Sequence, residues 1–305
     1  DVSNANSWTY VYGSIYARGG RNGGDGGQIE TSGHAVDTSS AQINAGATSG
    51  SGGLWLVDPY NYAIGTGEAA AIEGALNNGT SVTIDTAYSP TGSPTGTSGL
   101  INGSSGLGNI VVTSSINKIG GGDATLTFKA QRMVALRADI ISTAGKLNLV
   151  LWSDYDHTLD GGVSIGGITS PVNINTNGGH FWAGGSSTAG GSTTWYGLTV
   201  GNGPSVGATG ANANAMDLNA DLSTSGGSVM LWAGSGADAT HYGIGLSGSH
   251  TIAAGTGEIN LTADQIYNWS GSGTLATLTT GRLTLAPAYG SWANGFNFNG
   301  STSGT

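Results

Sequence analysis

Cysteine is absent from the 305-residue chain and charge is scarce, with 8 Lys and Arg against 18 Asp and Glu. A long exported bacterial protein has to cross the envelope unfolded and unbridged, so a lack of cysteine is compatible with export. The few cations are scattered from Arg18 to Arg282 and the net charge is −10. Nucleic acid and anionic lipid both require clustered Lys and Arg, so neither is expected as a partner. Long apolar runs are missing too. The longest, such as Leu147 to Trp152, are strand-sized and far short of the roughly 18–20 residues that span a bilayer. No membrane insertion is expected. The opening Asp1-Val2-Ser3-Asn4 has neither the basic start nor the apolar core of a signal peptide, and the chain reads as a mature or processed fragment.

Charged residues make up 9%, against about 25% in an average soluble domain. Glycine supplies 57 residues, yet 8 Trp, 11 Tyr and 4 Phe are present. A disordered chain lacks such aromatics, so a packed, repetitive β fold remains. Short β-rich runs alternate with turns of Gly, Ser, Asn and Thr, among them Gln28–Thr31, Leu54–Val57, Ser81–Asp85, Ala124–Lys129, Lys146–Trp152, Gly197–Val200, Ser228–Ala233 and Glu258–Thr262. Each is bounded by residues that adopt positive φ or turn cheaply. The alanine-rich Glu68–Leu76 breaks the pattern and predicts a short helix ending at Asn77-Asn78-Gly79.

Internal similarity points to a solenoid. Leu136-Arg137-Ala138-Asp139-Ile140 is echoed by Leu218-Asn219-Ala220-Asp221-Leu222. A Ser-Thr pair follows each, then a glycine turn, then an apolar strand ending in Leu151-Trp152 or Leu231-Trp232. Units this short bury their apolar faces only by stacking on neighbouring coils. The expectation is an all-β, right-handed parallel β-helix over residues 1–305, with repeat coils at 124–285, irregular ends and one helical excursion near 68–76. At about 20–25 residues per coil the chain would form about 12–15 coils, a rod about 60–70 Å long.

Three ordered blocks within residues 24–86 carry a resemblance. They are Gly24-Asp25-Gly26-Gly27-Gln28-Ile29-Glu30-Thr31-Ser32-Gly33, then Gly53-Leu54-Trp55-Leu56-Val57-Asp58-Pro59-Tyr60-Asn61, then Ile72-Glu73-Gly74-Ala75-Leu76-Asn77-Asn78-Gly79-Thr80-Ser81-Val82-Thr83-Ile84. Together they resemble the filamentous-haemagglutinin-like large exoproteins, the passengers of two-partner secretion. The resemblance implies a parallel β-helix, export through an outer-membrane partner and a role in adhesion, biofilm or cell contact. The Asn-Pro-Asn-Gly and Asn-Pro-Asn-Leu motifs of the family's secretion domain do not occur here. The segment is therefore expected to lie in the shaft downstream of that domain, at the bacterial surface or in the extracellular matrix. Its expected partners are cell-surface glycans or proteins, or further copies of itself.

Few residues point to chemistry. Asp154, Asp156 and Asp160 surround Tyr155 and His157. They read either as a Ca²⁺ loop, the one cofactor the chain suggests, or as a polar turn in which Asp bonds its own backbone. Trp152, Trp182 and Trp232 end equivalent strands. They either stack on sugar faces or form a ladder packed against adjacent coils. Parallel β-helices also host polysaccharide lyases and hydrolases, but no repeating set of carboxylates beside a base is legible, and no catalytic residue is expected. The alternatives to an adhesive shaft are a filament subunit, joined through helix ends or by strand addition at Trp8–Tyr16, and a polysaccharide-binding or -degrading protein.

Overall fold

The computed structural model describes residues 6–86, 108–167, 170–207, 214–235, 242–269, 276–289 and 297–300. Over these residues the chain forms a parallel β-helix. Three parallel sheets of nine, eight and six strands run along it, and each full coil contributes one strand to each sheet in turn. In one coil, Ala124–Lys129 lies in the nine-stranded sheet, Val134–Leu136 in the eight-stranded sheet and Ile140–Ser142 in the six-stranded sheet. The next coil repeats the order with Leu147–Trp152, Val163–Ile165 and Val172–Asn175.

Register builds the core. Strand residues alternate between two faces, so parallel pairing in register stacks like positions into ladders. In the nine-stranded sheet one inward ladder begins Ile29, Trp55, Val82, Leu126 and continues through Leu149, Phe181 and Val229 to Ile259. A second runs through Val57, Ile84, Phe128, Leu151, Ala183 and Leu231. All of these except Ile29 are essentially sealed from solvent. On the last strand of that sheet, Arg282–Ala286, the ladder members Leu283 and Leu285 are 45% and 39% exposed because no described coil stacks on them.

The repeat of Ser or Thr before a glycine turn has a structural cause. Lys118, Ser142, Thr176 and Thr224 occupy one inward corner of successive coils and are all buried. The carbonyls of the following turn point inward there and need donors. Thr176 Oγ1 donates to the Gly179 carbonyl at 2.6 Å, Thr224 Oγ1 donates to that of Gly227, and Ser142 Oγ donates to that of Gly145 at 3.0 Å. At Lys118 the ammonium takes over the role, donating to the carbonyls of Gly120 at 2.7 Å and of Ala144. Burial holds its pKa below the ordinary lysine value.

Helix α1, Thr66–Asn77, extends beyond the predicted Glu68–Leu76 and replaces a strand of the six-stranded face. Glu68 Oε2 accepts the Gly65 N–H at 3.1 Å, and the left-handed Gly79 (φ 77°) ends the helix. Ile72, Ala75 and Leu76 are fully buried. Glu73 Oε1 accepts the Asn117 N–H at 2.6 Å, and Asn77 Oδ1 accepts that of Ile119 at 2.7 Å, which ties the helix to the next coil. The helix is thus part of the stack.

Two expectations are corrected. Among the described residues the nine strands of the longest sheet span eight steps, or about 38 Å at about 4.8 Å each, fewer rungs than the 12–15 coils expected. The chain is consumed by excursions: Leu126 pairs with Leu149, 23 residues on, but Phe181 pairs with Val229, 48 residues on. One excursion also absorbs a predicted coil strand. Leu198–Gly201 pairs antiparallel with Ser192–Trp195 as a hairpin outside the stack.

Phe128→Ala empties the middle of the second inward ladder and is expected to cost about 3–5 kcal/mol. Leu285→Ala, at the open rung, is expected to cost under about 1 kcal/mol. Denaturant unfolding of the two variants beside the parent chain measures both, and equal losses would contradict a core built of axial ladders.

Candidate functional site

The outward positions of the nine-stranded sheet form ladders of their own. One runs Leu56, Thr83, Thr127, Val150, Trp182, Met230. A parallel row places Asp85 beside Lys129 and Lys129 beside Trp152. Asp58 follows Val57 just as Asp85 follows its partner Ile84, so the two carboxylates occupy adjacent rungs. Along the stack, this surface changes from polar and acidic to apolar.

The apolar part is covered. The hairpin Ser192–Gly201 turns through Tyr196 and Gly197, both at positive φ (47° and 79°), as a two-residue type I′ turn requires. Its Leu198 and Val200 join Val150, Trp152 and Trp182 in a second hydrophobic cluster outside the main core. The Tyr196 ring stacks on His180 with centroids 4.5 Å apart. His180 Nδ1 accepts the Ser228 N–H at 3.0 Å, and burial together with Lys146 holds its pKa below the usual histidine value.

This settles where the predicted tryptophans lie. Trp152 and Trp182 point away from the helix core, yet they are 3% and 1% exposed beneath the hairpin. Trp152 Nε1 donates to Ser186 Oγ at 2.9 Å. Neither offers a ring face to a sugar, because a sugar platform needs an open face and the excursion occupies it. Trp232 is half-buried at the equivalent end of its strand. The three do not form one exposed row.

The acidic loop is likewise engaged internally. Asp156 Oδ2 accepts from Gln131 Nε2 at 2.9 Å, and Asp160 pairs with Arg132 at 3.1 Å. Asp154 is fully buried, with φ 48°, and its Oδ1 accepts the Leu159 N–H at 3.1 Å. Among the described residues no three His, Asp or Glu side chains converge as a metal-binding set. Asp156, Asp160 and one oxygen of Asp154 are engaged by neighbouring donors and hold a polar turn, while the buried Asp154 Oδ2 has no hydrogen-bond partner. Burial, with Asp156 nearby, pushes the Asp154 carboxyl up to about 7.

What sequence reading missed is a groove of about 270 Å³ at the hairpin's edge. Thr83, Asp85, Thr127 and Lys129 form its floor, while Trp152, Tyr155, Ser192 and Thr199 form its walls. Lys129 Nζ lies 2.8 Å from Asp85 Oδ2 and 3.9 Å from the Tyr155 ring centroid. Beside the groove, burial pushes the Asp58 carboxyl up to about 6, helped by Asp85 and Glu30. The floor and wall residues lie on five separate strands and one loop. The only signal available in the sequence was the coil register.

No family model matches the chain, and no curated protein matches it.

The two raised carboxyls set a pH dependence. In the unfolded chain an Asp releases its proton near pH 4, whereas folded Asp154 still holds its proton up to about pH 7. Between those values the folded state binds more protons, so stability rises as pH falls. Thermal unfolding of the parent chain and Asp154→Asn from pH 8 to pH 5 tests this. The parent is expected to gain several degrees relative to the variant on acidification, and a constant gap between the two would refute it.

Proposed function

We propose that the chain is a non-catalytic shaft segment of a secreted bacterial surface exoprotein, serving adhesion, biofilm or cell contact. The observation that carries this reading is the use made of its carboxylates and amides. Asp123, Asp139 and Asp221 accept the backbone N–H groups of Lys146, Asn173 and Thr251, at 2.7–2.8 Å and one coil further along. Asn148 does the same for His180 at 2.9 Å. Acidic groups spent on joining coils are groups of an axial scaffold. The resemblance of residues 24–86 to filamentous-haemagglutinin-like exoproteins supports export and a surface location.

A second reading, a filament subunit, is favoured by one observation. Strand Trp8–Tyr16 pairs along one edge with Ala35–Asn44 and leaves Trp8, Tyr10, Tyr12 and Tyr16 exposed. Trp8 and Tyr10, and Tyr10 and Tyr12, lie ring against ring at about 6 Å. Such an edge can accept an added strand.

Electron microscopy of the purified chain is expected to show discrete short rods, whereas long filaments would favour the second reading. Incubation with a panel of polysaccharides, with and without Ca²⁺, is expected to release neither reducing nor unsaturated ends. Release of either would overturn the non-catalytic assignment.

A further inference from the structure

We propose that the groove floored by Thr83, Asp85, Thr127 and Lys129 is a binding site for a neutral glycan lying along the helix axis. This deepens the adhesive part of the proposed function and rests on its non-catalytic reading.

Hydrogen-bonding capacity comes first. Among the described residues no hydrogen bond engages the side-chain hydroxyls of Thr83, Thr127, Ser192 or Thr199, and all four line the groove. Each hydroxyl both donates and accepts. Between them sits a carboxylate–ammonium pair, 2.8 Å apart, with both side chains about one-fifth exposed. A fixed acceptor next to a fixed donor, ringed by hydroxyls, matches the adjacent hydroxyls of a sugar ring. The apolar edge of such a ring finds Tyr155 on the wall.

Geometry comes next. Thr83 pairs with Thr127 and Asp85 with Lys129, so the floor spans two adjacent rungs and ends against Trp152 on the third. The rungs are spaced about 4.8 Å apart, close to the length of one sugar unit. A glycan segment laid across the strands therefore meets a hydroxyl and one member of the charged pair on each of the two rungs. The hairpin closes one side of the groove, because Ser192 and Thr199 line it.

Charge selects the class. The groove's single ammonium is already paired with Asp85, and Asp58 and Glu30 add negative charge nearby. The whole chain carries −10. A uronate or sulfated polymer would be repelled, whereas a neutral one pays no such cost. The groove lies just below the range of about 300–1,000 Å³ typical of drug-sized sites. Binding at one site is weak and gains from many copies displayed on one surface.

Affinity electrophoresis of the full chain tests this, in gels carrying a β-glucan, a mannan, a galactan or polygalacturonate. At least one neutral polymer is expected to retard the parent chain, and polygalacturonate is not. Thr127→Leu and Lys129→Met are expected to weaken retardation at least ten-fold. Thr284→Leu, at the far end of the same outward row, is expected to leave it unchanged, and thermal unfolding confirms that each variant is folded. The site is overturned if no neutral polymer retards the parent, if polygalacturonate alone does, or if the groove variants behave as the parent. Retardation accompanied by shortening of the polymer would leave the site standing and overturn the non-catalytic reading.

Discussion

Backbone hydrogen bonds between successive coils run along the axis, and in-register parallel pairing makes every side chain sit above its counterpart one coil earlier. Each position in the strand thus becomes a column. Inward columns must be apolar over their whole length, because a polar residue there would face others of its kind without water. The inward polar column at the corner of Lys118, Ser142, Thr176 and Thr224 exists because turn carbonyls at that corner supply acceptors. Lys118 shows how strict the demand is. A buried ammonium is costly, yet it is tolerated where three backbone carbonyls converge on it.

The same constraint explains the charge poverty. Outward columns stack like side chains about 5 Å apart, so a column of carboxylates would repel itself. Five acids sit at the corners, where Asp25, Asp123, Asp139, Asp221 and Asp264 each accept a backbone N–H from the following coil. A short acceptor side chain at a corner does work that backbone pairing cannot do there, since the strands have ended. Two cations answer a particular acid on the adjacent rung: Lys129 to Asp85, and Arg282 to Glu258.

The architecture was legible because it depends on composition and on a repeat, and both survive in linear form. The helix was legible from Glu68 to Leu76 because alanine and the Asn-Asn-Gly stop are local signals; its first turn was not, since it is fixed by Glu68 reaching back to Gly65. Three-residue strands such as Val134–Leu136 and Val163–Ile165 are too short to show a period, and they exist only because neighbouring coils pair with them. The coil count was overestimated because nothing in Ser192–Gly201 marks it as an excursion. Trp152 and Trp232 end their strands, whereas Trp182 is the second residue of Phe181–Gly184 and pairs with Val150. What covers Trp152 and Trp182 is the hairpin, which lies within a coil of unusual length. The glycan groove was invisible for the same reason, since Asp85 and Lys129 are 44 residues apart in sequence and adjacent in register.

The hairpin decides which part of the outer face remains available. Val150, Trp182 and Met230 continue the column that begins with Thr83 and Thr127, and such a run of apolar side chains left open would be an adhesive but indiscriminate patch. Leu198 and Val200 cover it, and the stacking of Tyr196 on neutral His180 fastens the tip of the cover. Covering the greasy rungs leaves the hydroxyl-rich rungs beside them as the exposed surface, bounded by the hairpin's own Ser192 and Thr199. The excursion thus converts a uniform rod into one with a defined edge. An edge where a dry cluster meets a polar floor offers both an apolar contact and fixed donors and acceptors, which a plain solenoid face does not.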